Sequence, residues 1–343
     1  MELILVNGRF VTKAVTGVQR YSSELVSRFG DRIRLLAPAR SLQGIQGHLW
    51  EQVVLPARVG SGFLWSPGNT GPLALSRQAV TIHDAATLDH PEWFSGKFAA
   101  LYRFLLPKLM RRARRVITVS EFSKQRLIEH GGISPDRVCA IPNGVDARFR
   151  PAAPEAVAAL RRKLGLAEDY ALAVGSLEPR KNLRGLFQAW QIAQPRLGGM
   201  ELAVAGGSGK IFSNIGFERL PAGIRLLGYV EDADLVALYG GARMFVYPSL
   251  YEGFGLPPLE AMSCGTPVLT SNVTSLPEAV GDAALAVNPT DPEAIADGMI
   301  RLAEDGALCG ELRSKGRQRA GQFTWECSAE ATWQALQEAA ADS

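Results

Sequence analysis

The stretch 170–194, YALAVGSLEPRKNLRGLFQAWQIAQ, contains the pattern that decides the fold. An apolar run at 171–174 is followed by a polar turn, and a segment with helical spacing then covers 182–194. A strand, a turn and a helix in succession are the repeating unit of parallel α/β sheets. Ligands bind beyond the carboxyl ends of such strands, so the turn, which carries Arg180 and Lys181, is a candidate site.

The same alternation continues through both halves of the chain. Strands are predicted at 3–7, 33–37, 52–55, 63–65, 80–83, 116–120, 138–141, 171–174, 201–205, 224–228, 244–247, 267–270 and 284–287. Helices are predicted at 18–28, 96–115, 121–129, 182–194, 232–240, 257–263, 292–304, 307–322 and 324–340. The fold class is therefore α/β, and one such series in each half predicts two Rossmann-like domains.

A turn near the middle of the chain separates the two series. The sequence Pro-Asn-Gly at 142–144 is a strong turn signal, and the segment 151–154, with a proline at each end, is interpreted as a stiff spacer. We therefore predict a first domain over 1–150 and a second over 151–323.

The composition is that of an ordinary globular protein. The chain has 343 residues, of which 47% are hydrophobic and 21% charged, which excludes a disordered chain, a collagen and a coiled coil. No apolar run reaches the roughly 18 residues of a membrane span, and the N-terminus is interpreted as a first strand rather than a signal peptide. The cysteines show no metal-binding or disulfide spacing, so we expect free thiols in a reducing cytoplasm: Cys139, Cys264, Cys309 and Cys327.

Charge is distributed unevenly between the halves. Residues 1–150 carry 21 Lys and Arg against 11 Asp and Glu, hence +10, and residues 151–343 carry 16 against 23, hence −7, which gives the net +3. The excess indicates an anionic partner for the first half. The basic amphipathic segment 93–115 is typical of contact with an anionic membrane or, equally, of a core helix with a solvated basic face. Nucleic acid is not expected, because no recognised binding module is present.

Two acidic residues flank a glycine-rich turn in the second half. Glu252 precedes Gly253-Phe254-Gly255-Leu256, two prolines then open a helix, and Glu260 lies within it. Backbone N–H groups at a turn and helix start bind anions. The pattern predicts a sugar-diphosphate site in which Glu252 meets sugar hydroxyls, the amides meet phosphate and Glu260 meets ribose.

Other residues fit the same ligand. Arg180 and Lys181 would neutralise a diphosphate without a metal ion. His83 ends a predicted strand and is interpreted as a sugar contact, the alternative being a satisfied core histidine. Gly17 opens a helix where phosphate can approach, although a plain turn fits equally well. Lys210 lies in the glycine-rich run 206–210. It is interpreted either as a contact to the sugar diphosphate or as part of an ordinary turn.

The acids at 232 and 234 spell the DxD sequence of metal-dependent transferases. Because an apolar helical run follows them, we interpret them as helix-capping residues, paired with the positive end of the helix dipole. No metal site is predicted.

Taken together, the motifs at 16–21, 83–84, 119–124, 142–146, 175–182 and 252–260 resemble glycosyltransferase family 4, in the family's order and over about residues 3–340. The resemblance implies the GT-B fold, with two Rossmann-like domains facing across a cleft and the last segment, 324–343, crossing back to the first domain. It implies that the first domain binds the acceptor and the second the nucleotide sugar, and that sugar is transferred with retention of configuration and no metal.

The resemblance also implies individual roles. Arg180 and Lys181 hold the donor diphosphate, Glu252 lies at the donor sugar, and His83 lies near its reacting face. These are the expected catalytic residues. The expected donor-binding residues are Gly17, Gly175, Arg180, Lys181, Val230, Gly253, Phe254, Gly255, Leu256 and Glu260.

The expected protein is a cytoplasmic hexosyltransferase without cofactor. By resemblance it adds mannose from GDP-mannose to a lipid-diphosphate-linked glycan in bacterial exopolysaccharide or O-antigen synthesis, at the inner face of the cytoplasmic membrane. A UDP-sugar or a deoxysugar nucleotide such as a rhamnosyl donor is the alternative. A sugar-nucleotide epimerase and a non-catalytic GT-B partner subunit are rival functions.

Overall fold

The computed structural model describes residues 3–12, 16–42, 44–176, 178–206 and 220–342. Lys210 lies outside these residues. The chain forms two compact units, one made of Met1–Gly144 with Thr324–Ser343 and the other of Val145–Phe323.

The first unit is built on a six-stranded sheet whose pairs are all parallel. Its strands are β1 Ile4–Asn7, β2 Ile33–Leu36, β3 Phe63–Ser66, β4 Gln78–Thr81, β5 Arg115–Thr118 and β6 Val138–Ala140, in the order β2-β1-β3-β4-β5-β6. The helices are α1 Gly17–Phe29, α2 Gly44–Leu49, α3 Leu55–Val59, α4 Ala86–Asp89, α5 Gly96–Arg112 and α6 Glu121–Gly131. The winding direction reverses between β1 and β3, which is the switch point where α/β sheets bind ligands.

The second unit holds a second six-stranded sheet of parallel pairs. Its strands are β7 Tyr170–Val174, β8 Glu201–Ala205, β9 Ile224–Gly228, β10 Met244–Tyr247, β11 Val268–Ser271 and β12 Leu285–Val287. Its helices are α7 Pro154–Leu164, α8 Leu183–Ala193, α9 Asp232–Gly240, α10 Leu256–Ser263, α11 Leu276–Val280, α12 Pro292–Glu304 and α13 Gly306–Ala320. The order β9-β8-β7-β10-β11-β12 is that of dinucleotide-binding sheets, with the switch point between β7 and β10.

The C-terminal helix, α14 Trp325–Ala341, belongs to the first unit. Thr324 caps it by accepting a hydrogen bond from the Cys327 N–H at 3.2 Å. The helix packs on α1, β4 and β5, and its Trp333 ring lies 5.2 Å from that of Phe29. The prediction that the last segment returns to the first domain is confirmed.

The predicted strand at 52–55 is wrong. The chain is helical from 44 to 59, with a π-helical turn over Trp50–Val54. Leu55 is fully buried whereas Val53 is 65% exposed, so one side of this helical segment faces the core and the other faces solvent. Three apolar residues after Gln52 cannot distinguish a strand from one turn of a half-buried helix.

Other boundaries also differ from the predictions by a few residues. The strand predicted at 80–83 is β4, which ends at Thr81, so His83 follows the strand rather than ending it. The start of β4 could not be recognised from apolar residues alone, because the strand begins at a buried glutamine, Gln78. The Gln78 side-chain amide donates to the Pro72 and Leu75 carbonyls, both at 2.7 Å. The spacer predicted at 151–154 runs into α7, with Pro154 as its first residue.

Gly144 tests the docking of α14. A Cβ at this position would lie 2.2 Å from the Trp325 N and 2.5 Å from the Thr324 C, both backbone atoms that cannot move aside. We expect Gly144→Ala to lower the free energy of unfolding by about 2–3 kcal/mol, as overpacking does, in chemical denaturation. Gly310→Ala is the matched control, since nothing lies within 4 Å of a Cβ there on α13. Gly310→Ala should be neutral or stabilise the protein by up to about 1 kcal/mol. Equal changes in the free energy of unfolding for the two variants would contradict the close packing of Gly144 on Trp325.

Candidate active site

The loops that follow β7 and β10 meet at the switch point of the second sheet. After β7 the chain forms a 3₁₀ turn, Pro179–Lys181, and then Asn182 takes a left-handed conformation at φ 55°. The Asn182 side-chain amide donates to the Pro248 carbonyl at 3.1 Å and to the Pro289 carbonyl at 2.6 Å. These hydrogen bonds join the turn to the loop after β10, which carries Pro248, and to the segment after β12, which carries Pro289.

An ionic cluster occupies this point. Lys181 Nζ lies 2.6 Å from Glu252 Oε1 and 2.6 Å from the Tyr247 hydroxyl. The Tyr247 hydroxyl donates to Glu252 Oε1 at 2.8 Å, and Arg180 Nη1 donates to Glu252 Oε2 at 3.2 Å. The structure therefore brings together three predicted residues and adds Tyr247, the last residue of β10, which the sequence analysis missed.

Burial makes these charges strongly interdependent. The side chains of Lys181 and Glu252 are 11% and 7% exposed. Burial raises the pKa of Glu252, but the Lys181 and Arg180 cations outweigh it, so the pKa is lowered. Burial lowers the pKa of Lys181, and Glu252 only partly opposes this. The carboxylate is thus held ionised. Arg180 also pairs with Glu178, whose side chain is 46% exposed, so the cluster holds two cations and two carboxylates.

The backbones of Gly175 and Gly206 pack closely beside the ionic cluster. Gly206, which follows β8, has φ 113°, and a Cβ there would lie 2.2 Å from the Gly175 carbonyl oxygen. A small cavity lies beside Gly175 and is lined in part by Ser176, Lys181, Tyr247 and Pro248. Predicted residue Gly175 thus lines the same cavity as Lys181.

The side-chain hydroxyls of Thr274 and Ser275 hydrogen-bond the backbone of the glycine-rich turn that follows Glu252. Ser275 Oγ donates to the carbonyls of Glu252, at 2.8 Å, and Phe254, at 3.0 Å. Thr274, at φ 58°, accepts a hydrogen bond from the Glu252 N–H at 3.3 Å. Gly255, at φ 115°, is the N-cap of α10, and the Leu256 N–H at the start of this helix has no intrahelical acceptor. This geometry suits an anion. No local sequence pattern indicates the two supporting hydroxyls, because Thr274 and Ser275 are distant from the turn in the chain.

Glu260 and Val230 are the remaining predicted donor contacts in this unit. Glu260 is buried, and its Oε2 accepts a hydrogen bond from the Tyr239 hydroxyl at 3.0 Å. Burial, and then the Glu260 charge, raise the pKa of Tyr239 well above its usual range. Val230 is buried just after the carboxyl end of β9. Their roles toward a ligand stay predictions.

His83 and Gly17 lie in the first unit. The His83 Nε2 donates to the Pro67 carbonyl at 3.0 Å, and the ring meets that of Tyr21 edge-on at 4.6 Å. Burial lowers the pKa of His83, so the ring is neutral and Nδ1 is an acceptor. Gly17 is the first residue of α1, and a Cβ there would meet no atom within 4 Å. Open space beside a helix start is compatible with an approaching ligand.

The two acids of the DxD sequence are used within the second unit. Asp232 accepts from Arg148 at 3.0 Å and Asp234 from Lys163 at 2.6 Å. Both lie in the first turn of α9, as predicted, but neither caps it, because the N-cap residue is Glu231. Across the described ranges, no group of three or more His, Cys, Asp or Glu is placed to hold a metal ion. The absence of a metal requirement stays a prediction.

The basic segment of the first unit has two parts. Arg111, Arg114 and Arg115 donate to main-chain carbonyls of the same unit, so these three are structural. Earlier on α5, large apolar side chains are exposed beside cations. These residues are Phe98, Leu101 and Phe104 with Lys97, Arg103, Lys108 and Arg112, here called the α5 face. Within the described part of the chain, every helix is too short or too polar to cross a bilayer.

Comparison with known proteins identifies the class. The model of glycosyl transferases group 1 matches residues 158–319, and that of glycosyltransferase family 4 matches 60–149. The chain belongs to these glycosyltransferases, and its two units are those of the GT-B fold. It is therefore an enzyme of the hexosyltransferase class.

Particular relatives are mannosyltransferases. The chain is 38% identical over 261 residues to O-antigen chain mannosyltransferase B of Escherichia coli, a match that covers 74% of this chain and 68% of that protein. It is 33% identical to the serotype-specific mannosyltransferase WbdA of Escherichia coli, with 73% of this chain matching only 32% of WbdA. Among solved structures, Anabaena HepE in complex with UDP and glucose has a TM-score of 0.75 at 20% identity, covering 98% of this chain and 99% of that one.

Glu252→Gln tests the balance of the ionic cluster. The variant leaves the buried Lys181 without a carboxylate partner, and breaking a buried pair in this way costs about 3–5 kcal/mol of folding free energy. Arg180 is 21% exposed and keeps its contact with Glu178, so we expect the free energy of unfolding to fall by about 2 kcal/mol in chemical denaturation. Glu304→Gln, which removes an exposed partner of Arg196, is the control and should cost less than about 1 kcal/mol. A Glu252→Gln protein as stable as that control would contradict the described coupling.

Cys264 is predicted to be inert. Burial, and then the Glu260 charge, raise the pKa of its thiol to about 12, so at pH 8 only about one molecule in 10⁴ carries the reactive thiolate. Reactivity should appear only as the pH rises toward that value. Labelling of the native protein with a disulfide reagent at pH 8 should modify the exposed Cys327 and spare Cys264. Labelling of both at one rate would be the contrary result.

Proposed function

We propose that this protein transfers mannose from a nucleotide diphosphate donor to a growing bacterial surface glycan, with retention of configuration and without a metal. The observation that carries the proposal is the convergence of Arg180 and Lys181 on Glu252 at the switch point of the second sheet. The similarity to O-antigen mannosyltransferases supports the sugar and the pathway.

Arg180 and Lys181 would bind the donor diphosphate. Lys181 pairs with Glu252, and Arg180 pairs with Glu252 and with the more exposed Glu178, so a diphosphate would compete with Glu178 for Arg180. Negative charge grows on the diphosphate as the sugar leaves, and fixed cations in a poorly solvated position stabilise such charge strongly. The Leu256 N–H at the start of α10 would add a backbone donor, whereas Pro257 and Pro258 have none.

Glu252 would orient the sugar rather than attack it. Its carboxylate accepts hydrogen bonds from Lys181, Arg180 and Tyr247, which leaves it a weak nucleophile but a firm acceptor for sugar hydroxyls. We therefore propose front-face attack. The bond between the sugar C1 and the phosphate oxygen breaks, the acceptor oxygen bonds to C1 on the same face, and the acceptor proton passes to the leaving phosphate oxygen.

GDP-mannose is the proposed donor. The mannosyltransferase relatives favour mannose as the sugar, whereas the HepE complex with UDP and glucose keeps a UDP-sugar as the alternative donor. A deoxysugar nucleotide is a further alternative. An epimerase would release an altered sugar without any acceptor, and a non-catalytic subunit would have no need for a buried acid facing two cations.

The α5 face is proposed to rest on an anionic membrane, where a lipid-diphosphate-linked acceptor would be met. Three exposed apolar side chains and four cations share this face. Such a face binds a bilayer surface by partial insertion combined with attraction to acidic lipids. In this proposal the enzyme works at the cytoplasmic surface.

The donor proposal is tested by thermal unfolding with GDP, UDP and dTDP, each with EDTA. A ligand at 100 times its dissociation constant adds about 2.7 kcal/mol to the folded state. We expect one clear shift with GDP, unchanged by EDTA, absent in Lys181→Ala and retained in Lys163→Ala, which changes an exposed lysine. Mannose should then pass from GDP-mannose to glycan. No shift with any nucleotide would refute the proposal, and a shift with UDP alone would replace the base.

The membrane proposal is tested by sedimentation of the chain with vesicles. Each cation near an acidic surface contributes about 1 kcal/mol, so Lys108→Gln with Arg112→Gln should weaken binding to phosphatidylglycerol-containing vesicles by at least about tenfold. Arg162→Gln with Arg301→Gln, in the second unit, should leave binding unchanged. Equal binding to vesicles of phosphatidylcholine alone would contradict the proposal.

A further inference from the structure

Tyr247 differs from its partners in the ionic cluster in where it lies. Lys181 belongs to the turn after β7 and Glu252 to the loop after β10, whereas Tyr247 is the last residue of β10 itself. Its backbone pairs with Thr270 of β11, whose hydroxyl donates to the Tyr247 carbonyl at 3.0 Å. Its buried ring stacks on that of Phe245 at 5.7 Å. The phenol is therefore held by the sheet, while the charges beside it are held by loops.

The directions of the hydrogen bonds at the Tyr247 hydroxyl are fixed by its partners. The Lys181 ammonium can only donate, so the phenol oxygen accepts from Nζ at 2.6 Å. The single phenol proton is then left for Glu252, whose Oε1 accepts it at 2.8 Å. Burial, and then the Glu252 charge, raise the pKa of Tyr247 well above its usual range, so the phenol keeps this proton. Tyr247 is thus a neutral bridge between a cation and a carboxylate.

A neutral donor at Glu252 matters because the two cations have another task. In the proposed reaction, Lys181 and Arg180 turn toward the donor diphosphate, and their hold on the carboxylate weakens as they do so. The hydrogen bond from Tyr247 does not depend on those cations, and it comes from a strand rather than a loop. It also leaves the negative charge of Glu252 in place, so the carboxylate can still accept hydrogen bonds from sugar hydroxyls.

We propose that Tyr247 is a positioning residue of the transferase, which holds Glu252 against the donor sugar while Lys181 and Arg180 bind the diphosphate. This inference rests on the proposed function. It divides the site into two parts: the cations determine how tightly the nucleoside diphosphate binds, and the Tyr247 hydroxyl determines how fast the sugar is transferred. Loss of the hydroxyl therefore lowers turnover and leaves nucleotide affinity almost unchanged.

The test compares two tyrosines of neighbouring strands, each changed to phenylalanine in the full chain. Tyr247→Phe removes the hydroxyl from the cluster. Tyr170→Phe is the matched control, because Tyr170 is buried and its hydroxyl donates to the Leu238 carbonyl at 2.7 Å. Tyr170 is the first residue of β7, which is parallel to β10, so it lies at the opposite end of the sheet from the site. Both variants lose one buried hydrogen bond, so a difference between them reports on the site rather than on folding.

Turnover, nucleotide affinity and the pKa of Glu252 are measured for the parent chain and both variants. Transfer from GDP-mannose to a fluorescent α-linked mannobiose gives kcat, and calorimetry gives the dissociation constant for GDP. Carbon-13 NMR of labelled glutamate gives the pKa of Glu252, with its resonance assigned from Glu252→Gln. Lys181, Arg180 and Tyr247 face this carboxylate and favour its ionised form, and Glu178 pairs with Arg180. Removal of the phenol donor should therefore raise the pKa of Glu252.

For Tyr247→Phe we expect a kcat at least about tenfold below that of Tyr170→Phe, because a hydrogen bond to a charged group is lost. The dissociation constant for GDP should change by less than about threefold, and the pKa of Glu252 should rise by about one unit.

A Tyr247→Phe protein that equals the control in kcat or in the pKa of Glu252 would overturn the proposal. So would a loss of GDP affinity as large as the loss of kcat, since the hydroxyl would then act on the diphosphate. A parent chain that transfers no mannose would instead refute the proposed function. In that case a raised pKa of Glu252 in Tyr247→Phe would still support the bridge, and an unchanged pKa would overturn it.

Discussion

The buried ion pair between Lys181 and Glu252 is the interaction on which the rest of the site depends. It joins the loops after two neighbouring strands whose connections run in opposite directions, so it lies where the sheet opens. Desolvation makes such a pair costly unless every partner is supplied. The Tyr247 hydroxyl and Arg180 supply them, and Ser275 holds the backbone that carries the carboxylate. A diphosphate would enter a site whose charges are already positioned.

Each sheet has a buried ion pair beside its switch point. In the second unit, Lys181 and Arg180 share the buried carboxylate of Glu252, and Arg180 also contacts the more exposed Glu178. In the first unit, Arg9 pairs with Glu51, and both side chains are nearly inaccessible. Several cations of the positively charged first half donate to main-chain carbonyls, and others lie on the α5 face.

Much of this was available from sequence, and the failures have physical causes. The βα alternation and the acids at 252 and 260 predicted the fold and the charged centre, because buried parallel strands and glycine-rich turns have local signatures. Tyr247 and Ser275 were missed because their roles come from neighbours distant in the chain. The 52–55 run was assigned to a strand because local apolarity carries no information on which face is buried.

The most direct test of the account is a crystal structure of the chain with a bound nucleoside diphosphate sugar. The account predicts diphosphate oxygens within hydrogen-bonding distance of Lys181 and Arg180, at the carboxyl ends of β7 and β10, with the sugar against Glu252. A diphosphate bound elsewhere, with Lys181 and Arg180 still paired only with protein groups, would contradict it.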